Sequence, residues 1–262
     1  MNYMNILVSR QDHVTEIVLN RASVRNAFDE MMIAELTDAY RVASADIETR
    51  AVLLRANGPS FCGGADLAWM ARMSGYTQQE NLEDARLLQQ MFQTIARCPK
   101  VTIAVVHGAA IGGGVGLAAV HDVVIAADNA AFALTEVRVG LAPAVIAPYL
   151  VERVGIGVCR GLFVTGAPFD AQTAQRIGLV KDIAAPDGLE GAVRTTLDLV
   201  RRAGPNAVMA VKQLLRDIAG KSPDEAAEIT IQCIADLRVS AEGQEGVAAF
   251  LEKRGARFHL EK

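Results

Sequence analysis

A glycine-rich turn between two apolar segments constrains the fold of this chain more than any other feature. The run VTIAVV at 101–106 predicts a buried strand, and the turn HGAAIGGGVGLAAVHD at 107–122 contains a short apolar helix, 115–120, before a second strand at 123–126. Glycine lets a backbone approach a bound molecule closely, and the first N–H groups of a helix have no partner within it. The turn therefore predicts a site for an anion or an oxyanion, or else only close packing of the helix on the strand.

The length and composition indicate a folded chain with a large aliphatic core. The chain has 262 residues, which suits one large domain or one and a half, and 51% of them are hydrophobic while 5% are aromatic. The net charge is −4, and the basic residues are scattered rather than gathered in a stripe. Nucleic acid is therefore not an expected partner.

Neither a membrane segment nor a metal site is predicted. Residues 101–127 are the most apolar, but His107, His121 and Asp122 interrupt them before they reach the span of about 20 apolar residues that a membrane helix needs. The N-terminus has no basic region followed by an apolar core, so a secretory signal is not expected. Four cysteines lie too far apart for a zinc pattern, which favours free thiols and a cytoplasmic location. They are Cys62, Cys98, Cys159 and Cys233.

The order of the predicted elements indicates an α/β fold in the first part of the chain. Strands are predicted at 4–10, 14–19, 51–56, 101–106 and 123–126. Helices are predicted at 29–43, with Asp29 as the N-cap, and at 79–97. Continuous apolar strands that alternate with helices are typical of a parallel sheet with right-handed crossovers.

The chain becomes mostly helical after Pro143. One short strand is predicted at 179–183. Helices are predicted at 144–153, 157–164, 170–176, 187–202, 206–219, 224–240 and 244–253. A change in composition near residue 200 divides the chain into a core domain, 1–200, and a C-terminal helical subdomain, 201–262.

Two glycine-rich loops follow buried strands of the predicted sheet. The loop CGGAD at 62–66 comes after strand 51–56, and the loop IGGG at 111–114 comes after strand 101–106. Because ligands bind at the carboxyl ends of the strands in such folds, we expect both loops at one site. Two converging N–H groups are what a thioester oxygen needs when it takes up the negative charge of an enolate.

Glu136 is the predicted acid or base of this site. It stands in the segment FALTEVRVGLAPA at 132–144, among apolar neighbours whose packing would raise its pKa toward a useful range. The alternative is a surface glutamate that pairs with Arg138 or another base.

The remaining candidate side chains are predicted to be structural. His107 and His121 flank the glycine-rich turn, but neither has a carboxylate at metal-ligand spacing. Trp69 and Met70 are expected to pack in the core rather than to take part in chemistry.

Four segments, taken together, resemble the crotonase family, also called the enoyl-CoA hydratase/isomerase family, in order and spacing. They are NRASVRNAF, SFCGGADLAWM, HGAAIGGGVGLAAVHD and FALTEVRVGLAPA. The resemblance extends to the tail segment GVAAFLEKRGARF. It implies an α/β spiral of βαβ units, followed by C-terminal helices that mediate trimerisation, with trimers that often pair into hexamers. It also implies an acyl-CoA thioester as substrate, with no metal or redox cofactor.

The resemblance assigns roles to residues of this chain by their position in the motifs. The amides of Ala65 and Gly113 correspond to the oxyanion hole, and Glu136 corresponds to a catalytic glutamate. Phe250 and Lys253 are weaker candidates for the adenine and phosphate end of coenzyme A. Further contacts with substrate or coenzyme A are expected at Ala22, Val24, Gly63, Asp66, Leu67, Gly112, Thr135, Val139 and Gly140, beside Ala65 and Gly113 themselves.

The chain departs from the family at one catalytic position. Hydratases of the family usually carry two glutamates, and this chain has Gly116 at one of the two positions and Glu136 at the other. Hydration requires activation of a water and delivery of a proton to Cα, which two glutamates divide between them, whereas moving a double bond requires only one base. On mechanism alone, the single Glu136 therefore favours an isomerase.

The local sequence nevertheless favours one branch of hydratases. The segments ADLAWM, NLEDA, GGGVGL and EVRVGLAPAVIAPYL resemble bacterial methylglutaconyl-CoA hydratases and related carboxygeranoyl-type hydratases, which act on branched acyl thioesters in leucine or acyclic terpene breakdown. We therefore predict reversible syn hydration of a branched 2-enoyl-CoA similar to 3-methylglutaconyl-CoA. Gly116 would leave room for the branch, and Arg72, Arg138 or Tyr76 would meet a distal carboxylate.

Two alternatives to this hydratase stay open. One is an enoyl-CoA isomerase that uses Glu136 alone. The other is a non-catalytic homologue that binds acyl-CoA or RNA, against which the negative net charge and the retained Glu136 both argue.

Overall fold

The computed structural model describes residues 3–260 of the protein, and these residues form two compact units. The first unit takes the residues up to Cys98 together with Thr102–Arg194, and the second takes Pro99–Val101 with the residues from Thr195 on. None of the helices in the described range is long and apolar enough to cross a membrane.

Nine strands lie in the described residues, and six of them form the main sheet. They are β1 (Ile6–Gln11), β2 (Val14–Leu19), β3 (Ala51–Ala56), β4 (Val101–Val106), β5 (Ala109–Ile111), β6 (Val123–Ala127), β7 (Ala131–Ala133), β8 (Phe169–Asp170) and β9 (Asp182–Ala184). The main sheet has the order β1-β2-β3-β4-β6-β9, and a small sheet has the order β5-β7-β8. Parallel pairing of β2 with β3, of β4 with β6 and of β6 with β9 agrees with the predicted α/β fold.

The part of the chain that the structure describes also contains eleven α-helices. They are α1 (Glu30–Ala45), α2 (Leu67–Met73), α3 (Gln78–Ala96), α4 (Gly113–Ala119), α5 (Ala147–Val154), α6 (Ile156–Thr165), α7 (Ala171–Arg176), α8 (Leu189–Arg202), α9 (Pro205–Ile218), α10 (Pro223–Val239) and α11 (Ala241–Leu251). The helix α1 begins at the predicted N-cap, because the side chain of Asp29 accepts a hydrogen bond from the Met32 amide at 2.8 Å.

The structure differs from the predicted elements in its shortest pieces. Residues 67–73, for which no helix is predicted, form α2, and the prediction omits β5, β7 and β8. The strand predicted at 179–183 lies at Asp182–Ala184 instead. Periodicity in a sequence can be recognised only over several residues. Strands and helices this short are therefore determined by the segments that they pack against or pair with.

A buried pair of polar side chains connects the end of α4 to α1. The Tyr40 hydroxyl lies 2.5 Å from Nε2 of His121, and Nδ1 of the same ring lies 2.7 Å from the Leu117 carbonyl oxygen. Nδ1 therefore donates to the carbonyl and Nε2 accepts from the hydroxyl, which satisfies both ring nitrogens away from solvent. His121 thus has the structural role that the sequence predicts.

The second unit contains the helices α9, α10 and α11. The Glu242 carboxylate accepts hydrogen bonds from the amides of Asn206 and Ala207, at 3.1 and 2.8 Å, and so caps α9. Ser222 and Glu225 form a capping box at the start of α10. Large apolar side chains of this unit are exposed, among them Ile231, Val239, Phe250 and Leu251.

Candidate active site

Backbone hydrogen bonding holds the two glycine-rich loops side by side. The Ile111 amide donates to the Cys62 carbonyl oxygen at 2.9 Å, and Cys62 forms a parallel bridge with Ala110. Ala65 and Gly113 each follow the bridged pair by three residues. The two predicted oxyanion-hole amides therefore occupy matching positions in adjacent loops.

The amides of Ala65 and Gly113 are available to a ligand. Gly113 is the first residue of α4, so its N–H has no acceptor within the helix. In the part of the chain that the structure describes, neither amide donates to another backbone carbonyl. Both residues line the same cavity, where two such N–H groups stabilise negative charge on a ligand oxygen.

A glycine allows the carboxylate of Glu136 to lie beside these amides. Glu136 opens the 3-10 turn Glu136–Val139, and its Oε1 lies 2.8 Å from the point that a Cβ on Gly112 would occupy. A larger residue at this position, where φ is +53°, would displace the carboxylate. The other oxygen, Oε2, is buried and has no hydrogen-bond partner among the described residues. Burial raises the pKa of the Glu136 carboxyl above its usual value, which suits a proton-transfer group.

These groups share a cavity of about 470 Å³. Eight of the predicted site residues line it, namely Gly63, Ala65, Leu67, Gly112, Gly113, Thr135, Glu136 and Val139. Most of the other lining side chains are apolar, such as Phe28, Leu141 and Ile146. A largely apolar cavity with a few polar groups is typical of a small-molecule site.

The side chain of Asp66 supports the site through hydrogen bonds, and contact of this residue with the substrate stays a prediction. Its Oδ1 accepts hydrogen bonds from the amides of Ala68 and Trp69 at 2.8 and 3.2 Å, which caps α2. Its Oδ2 lies 3.0 Å from the Arg21 guanidinium, which also pairs with Asp29, the N-cap of α1, at 2.9 Å. Although burial opposes it, hydrogen bonds from the two amides and from Arg21 hold the pKa of Asp66 below its usual value. Asp66 therefore remains charged and fixes the start of α2.

The turn that carries two predicted coenzyme A contacts lies next to the first glycine-rich loop. Ala22 and Val24 belong to a 3-10 turn, Ala22–Val24, outside the cavity lining. The amide of Gly63 donates to the carbonyl oxygen of Arg25 at 2.8 Å, which joins the turn to the loop. Coenzyme A contact at Ala22 and Val24 stays a prediction.

Three more residues with predicted contacts are not among those that line the cavity. Gly140 ends the turn that carries Glu136 and adopts a φ of +75°, so its role in the structure is conformational. Phe250 and Lys253 are exposed residues of the second unit, and their contact with coenzyme A stays a prediction.

Ile146 fills the space at Gly116, so the predicted room for a branched acyl group is not there. A Cβ on Gly116 would lie 2.2 Å from Cγ2 and 2.7 Å from Cβ of Ile146. Gly116 is buried inside α4, whereas Ile146, the N-cap of α5, lines the cavity. An aliphatic side chain thus covers the position at which a second glutamate was expected in the family pattern.

The residues predicted to meet a distal carboxylate do not line the cavity. Arg72 pairs with Glu30 at 2.6 Å, and Tyr76 lies beside Arg72. Arg138 donates to the carbonyl oxygen of Gly166 at 2.8 Å. Among the described residues that line the cavity there is no lysine, arginine or histidine. The cavity therefore offers no cationic side chain to a carboxylate on the acyl group.

Two helices form a cavity wall that the sequence analysis does not predict. From α2 come Trp69, Met70 and Met73, and from α3 come Asn81, Asp84, Ala85, Leu88 and Phe92. The last four of these α3 residues follow Asn81 by three, four, seven and eleven positions, which places all five on one face of the helix. Trp69 is buried, as predicted, but its indole N–H also donates to Asp84 at 3.1 Å. Two polar side chains, Asn81 and Asp84, on a helix face that also carries Leu88 and Phe92 were the signal that distinguishes this wall from ordinary packing.

Comparisons with known proteins cover nearly the whole chain. The family model described as Enoyl-CoA hydratase/isomerase matches residues 9–261. A crotonyl-CoA hydratase of Syntrophomonas wolfei is 32% identical over 260 residues, which cover 98% of this chain and 99% of the relative. A 2,3-dehydroadipyl-CoA hydratase of Escherichia coli is 32% identical over 255 residues, which cover 97% of this chain and 98% of the relative. The crystal structure of an enoyl-CoA hydratase from Shewanella pealeana is 36% identical, has a TM-score of 0.94, and covers 97% of this chain and 96% of that one.

These similarities agree with the order of the four sequence segments and with the sheet topology of the structure. The parallel strands, the paired glycine-rich loops and the helical C-terminal region are those of the crotonase fold, which confirms the predicted fold class. This chain belongs to the enoyl-CoA hydratase/isomerase family and is an enzyme, a hydro-lyase of that family.

Proposed function

We propose that this enzyme adds water reversibly, in the syn sense, across the Cα=Cβ bond of a branched 2-enoyl-CoA. The observation that carries the proposal is the cavity shared by the amides of Ala65 and Gly113 and the buried carboxylate of Glu136. Relatives named as hydratases of crotonyl-CoA and of 2,3-dehydroadipyl-CoA support hydration as the reaction.

The two amides stabilise the charge that develops on the thioester oxygen. When a water oxygen bonds to Cβ, the electron pair of the Cα=Cβ bond moves toward the carbonyl, whose oxygen becomes that of an enolate. The N–H groups of Ala65 and Gly113 donate to this oxygen, and loss of one such donor typically raises a barrier by about 3 kcal/mol. Because the thioester itself delocalises the charge, we propose that the reaction uses no metal or redox cofactor.

Glu136 carries both proton transfers in this proposal. Its carboxylate takes a proton from the attacking water, and the carboxylic acid that results delivers a proton to Cα when the enolate collapses. Both additions take place on the side of the substrate that Glu136 faces, which gives the syn outcome. The raised pKa helps one group to serve first as base and then as acid.

The proposed acyl group carries the 3-methyl branch of 3-methylglutaconyl-CoA. The resemblance of ADLAWM and NLEDA to hydratases of branched acyl thioesters supports it. The thioether side chains of Met70 and Met73 in the cavity wall adapt readily to an irregular shape. The proposed substrates are branched acyl thioesters of the kind that leucine or acyclic terpene breakdown produces.

We also propose a homotrimer, or a hexamer of two trimers, and a cytoplasmic location. Apolar side chains exposed on α10 and α11 supply a surface for association. Three of the four cysteines are buried and all four are free thiols, as is usual in a reducing compartment.

Replacement of Glu136 by glutamine tests the proposed base. Glutamine preserves the shape of the side chain but cannot accept the proton, so kcat for hydration of a 2-enoyl-CoA should fall by about 10² or more. Calorimetric titration with butyryl-CoA should give a Kd near that of the unchanged enzyme. Turnover close to the original value in Glu136→Gln would assign the base to another group.

The pH profile of kcat/KM tests the environment of the same carboxyl group. Glu136 acts as a base only when ionised, and burial raises its pKa, so activity should decline as the pH falls through a value above the ordinary glutamate pKa of about 4.3. Crotonyl-CoA hydration measured across pH, with thermal melting at each pH to verify folding, gives the profile. An acid limb at or below the ordinary value would contradict a desolvated base.

Substitution of Gly116 by alanine tests the contact with Ile146. The added Cβ would overlap two atoms of Ile146, so Gly116→Ala should destabilise the protein by about 1–3 kcal/mol and lower turnover, as urea unfolding and kinetics would measure. In an Ile146→Gly background, where the overlapping atoms are gone, Gly116→Ala should cost less than it does in the unchanged chain. Gly161→Ala is the matched control, because a Cβ there meets nothing within 4 Å. Equal effects at Gly116 and Gly161 would refute the steric explanation.

Comparison of 3-methylcrotonyl-CoA with crotonyl-CoA tests the branch. The acyl groups of the two substrates are uncharged and differ by one methyl group on Cβ. If the cavity accommodates the branch, kcat/KM for 3-methylcrotonyl-CoA should be about tenfold higher than for crotonyl-CoA. Equal rates, or faster hydration of crotonyl-CoA, would remove the branch from the proposal and leave hydration in place.

A 3-enoyl-CoA in the same assay distinguishes hydration from isomerisation. Absorbance of the conjugated thioester falls when a 2-enoyl-CoA is hydrated and rises when a 3-enoyl-CoA is isomerised. We expect the fall with the first substrate and no rise with the second. A rise without any hydration would make the enzyme an isomerase.

A further inference from the structure

The cavity contains a second carboxylate, that of Asp84, for which the hydration mechanism has no use. We propose that Asp84, held by the Trp69 indole, is a specificity-determining residue that admits acyl groups with an uncharged tail and rejects those that end in a carboxylate. The inference rests on the proposed function for the identity of the ligand as an acyl-CoA, and goes beyond it by assigning the charge of the acyl tail. It keeps the 3-methyl branch but excludes 3-methylglutaconyl-CoA itself, whose acyl group ends in a carboxylate.

A hydrogen bond fixes the carboxylate within the cavity wall. The indole N–H of Trp69 donates to Oδ1 of Asp84 at 3.1 Å, and Trp69 is 2% exposed. Both residues line the cavity that contains Glu136. The bond occupies one oxygen of Asp84 and restrains its rotation, so the second oxygen remains for whatever enters the cavity.

Asp84 lies about two turns of α3 away from the part of that helix that approaches Gly113. The ring of Phe92, on the same helix, lies 6.3 Å from the ring of Phe28, and Phe28 packs 2.8 Å from the point that a Cβ on Gly113 would occupy. Asp84 precedes Phe92 by eight residues, which is about 12 Å along a helix axis. In the proposal, this spacing places Asp84 beside the acyl tail rather than beside Cα or Cβ.

The charges around Asp84 disfavour a second anion. Burial raises the pKa of Asp84, the Trp69 hydrogen bond opposes the rise, and the nearby Glu30 adds to it. The Arg72 guanidinium is engaged with Glu30 at 2.6 Å and does not line the cavity. A carboxylate at the end of the acyl group would thus approach Asp84 without a cationic side chain to compensate either charge, whereas a methyl end brings no such repulsion.

Two saturated acyl-CoA molecules of equal length test this selection by binding alone. Hexanoyl-CoA ends in a methyl group and adipyl-CoA ends in a carboxylate, and neither can be hydrated. Trp69 is the only tryptophan of the chain and touches Asp84, so its fluorescence reports occupancy of the acyl tail, with calorimetry as a second measurement. We expect hexanoyl-CoA to bind at least about tenfold tighter than adipyl-CoA, and this ratio to shrink as salt is added.

The variant Asp84→Asn removes the charge and keeps an oxygen that accepts from the Trp69 indole. The ratio of the two Kd values should fall by about fivefold or more, mainly through tighter binding of adipyl-CoA. Glu83→Gln is the matched control, because Glu83 is the neighbouring carboxylate on α3, is exposed, and does not line the cavity. It should leave the ratio as it is.

Several outcomes would overturn the proposal. Equal binding of hexanoyl-CoA and adipyl-CoA by the unchanged enzyme would overturn it, even if Asp84→Asn fails to fold. An unchanged ratio of the two Kd values in folded Asp84→Asn would also overturn it. So would a fall of that ratio in Glu83→Gln as large as the fall in Asp84→Asn. Absence of binding for both ligands would also reject it, together with the acyl-CoA cavity. A preserved ratio in a protein that hydrates no 2-enoyl-CoA would reject the proposed function alone.

Discussion

The hydrogen-bonded contact between the two glycine-rich loops is the constraint on which the rest of the site depends. The loops follow β3 and β4 of the main sheet, and the hydrogen bond from the Ile111 amide to the Cys62 carbonyl oxygen fixes their relative position. The approach is so close that a Cβ on Gly114 would lie 2.5 Å from the Cys62 carbonyl oxygen. Any side chain at Gly114 would separate the loops, and with them the amides of Ala65 and Gly113 that are expected to share one oxygen.

A cluster of buried charges secures the first of these loops from the other side. Arg21 bridges Asp29 and Asp66, which cap α1 and α2 respectively, and all three side chains are mostly removed from solvent. Because the loss of one partner from a buried cluster leaves the others uncompensated, such clusters are costly to break, by about 3–5 kcal/mol. Asp66 directly follows Ala65, so the cluster determines where that amide lies. Sequence motifs alone do not distinguish this supporting role from contact with the ligand.

Sequence patterns predicted the parts of the structure that follow local rules. Long periodic segments such as α1 and α3 and the apolar strands β3 and β4 lie where the patterns indicate, and the Asp29 cap was predictable because it acts on its own helix. The prediction of free space at Gly116 was wrong because it depends on packing between distant segments. A sequence shows which side chain is missing at a position, but the occupant of the space, Ile146, comes from a segment thirty residues away and is known only from the tertiary packing. The wall formed by α2 and α3 was missed because its methionines, leucines and tryptophan resemble those of any core.

The cavity contains hydrogen-bond donors and an acceptor that a bound substrate would satisfy. Among the described residues, the amides of Ala65 and Gly113 are donors without a backbone acceptor, and Oε2 of Glu136 is an acceptor without a donor. Buried groups of this kind reduce the stability of a folded chain unless something satisfies them. In the proposed mechanism, an enolate oxygen accepts from the two amides, and a water that attacks Cβ donates to the carboxylate. The same groups that lack partners within the protein would therefore stabilise charge and proton transfer during hydration.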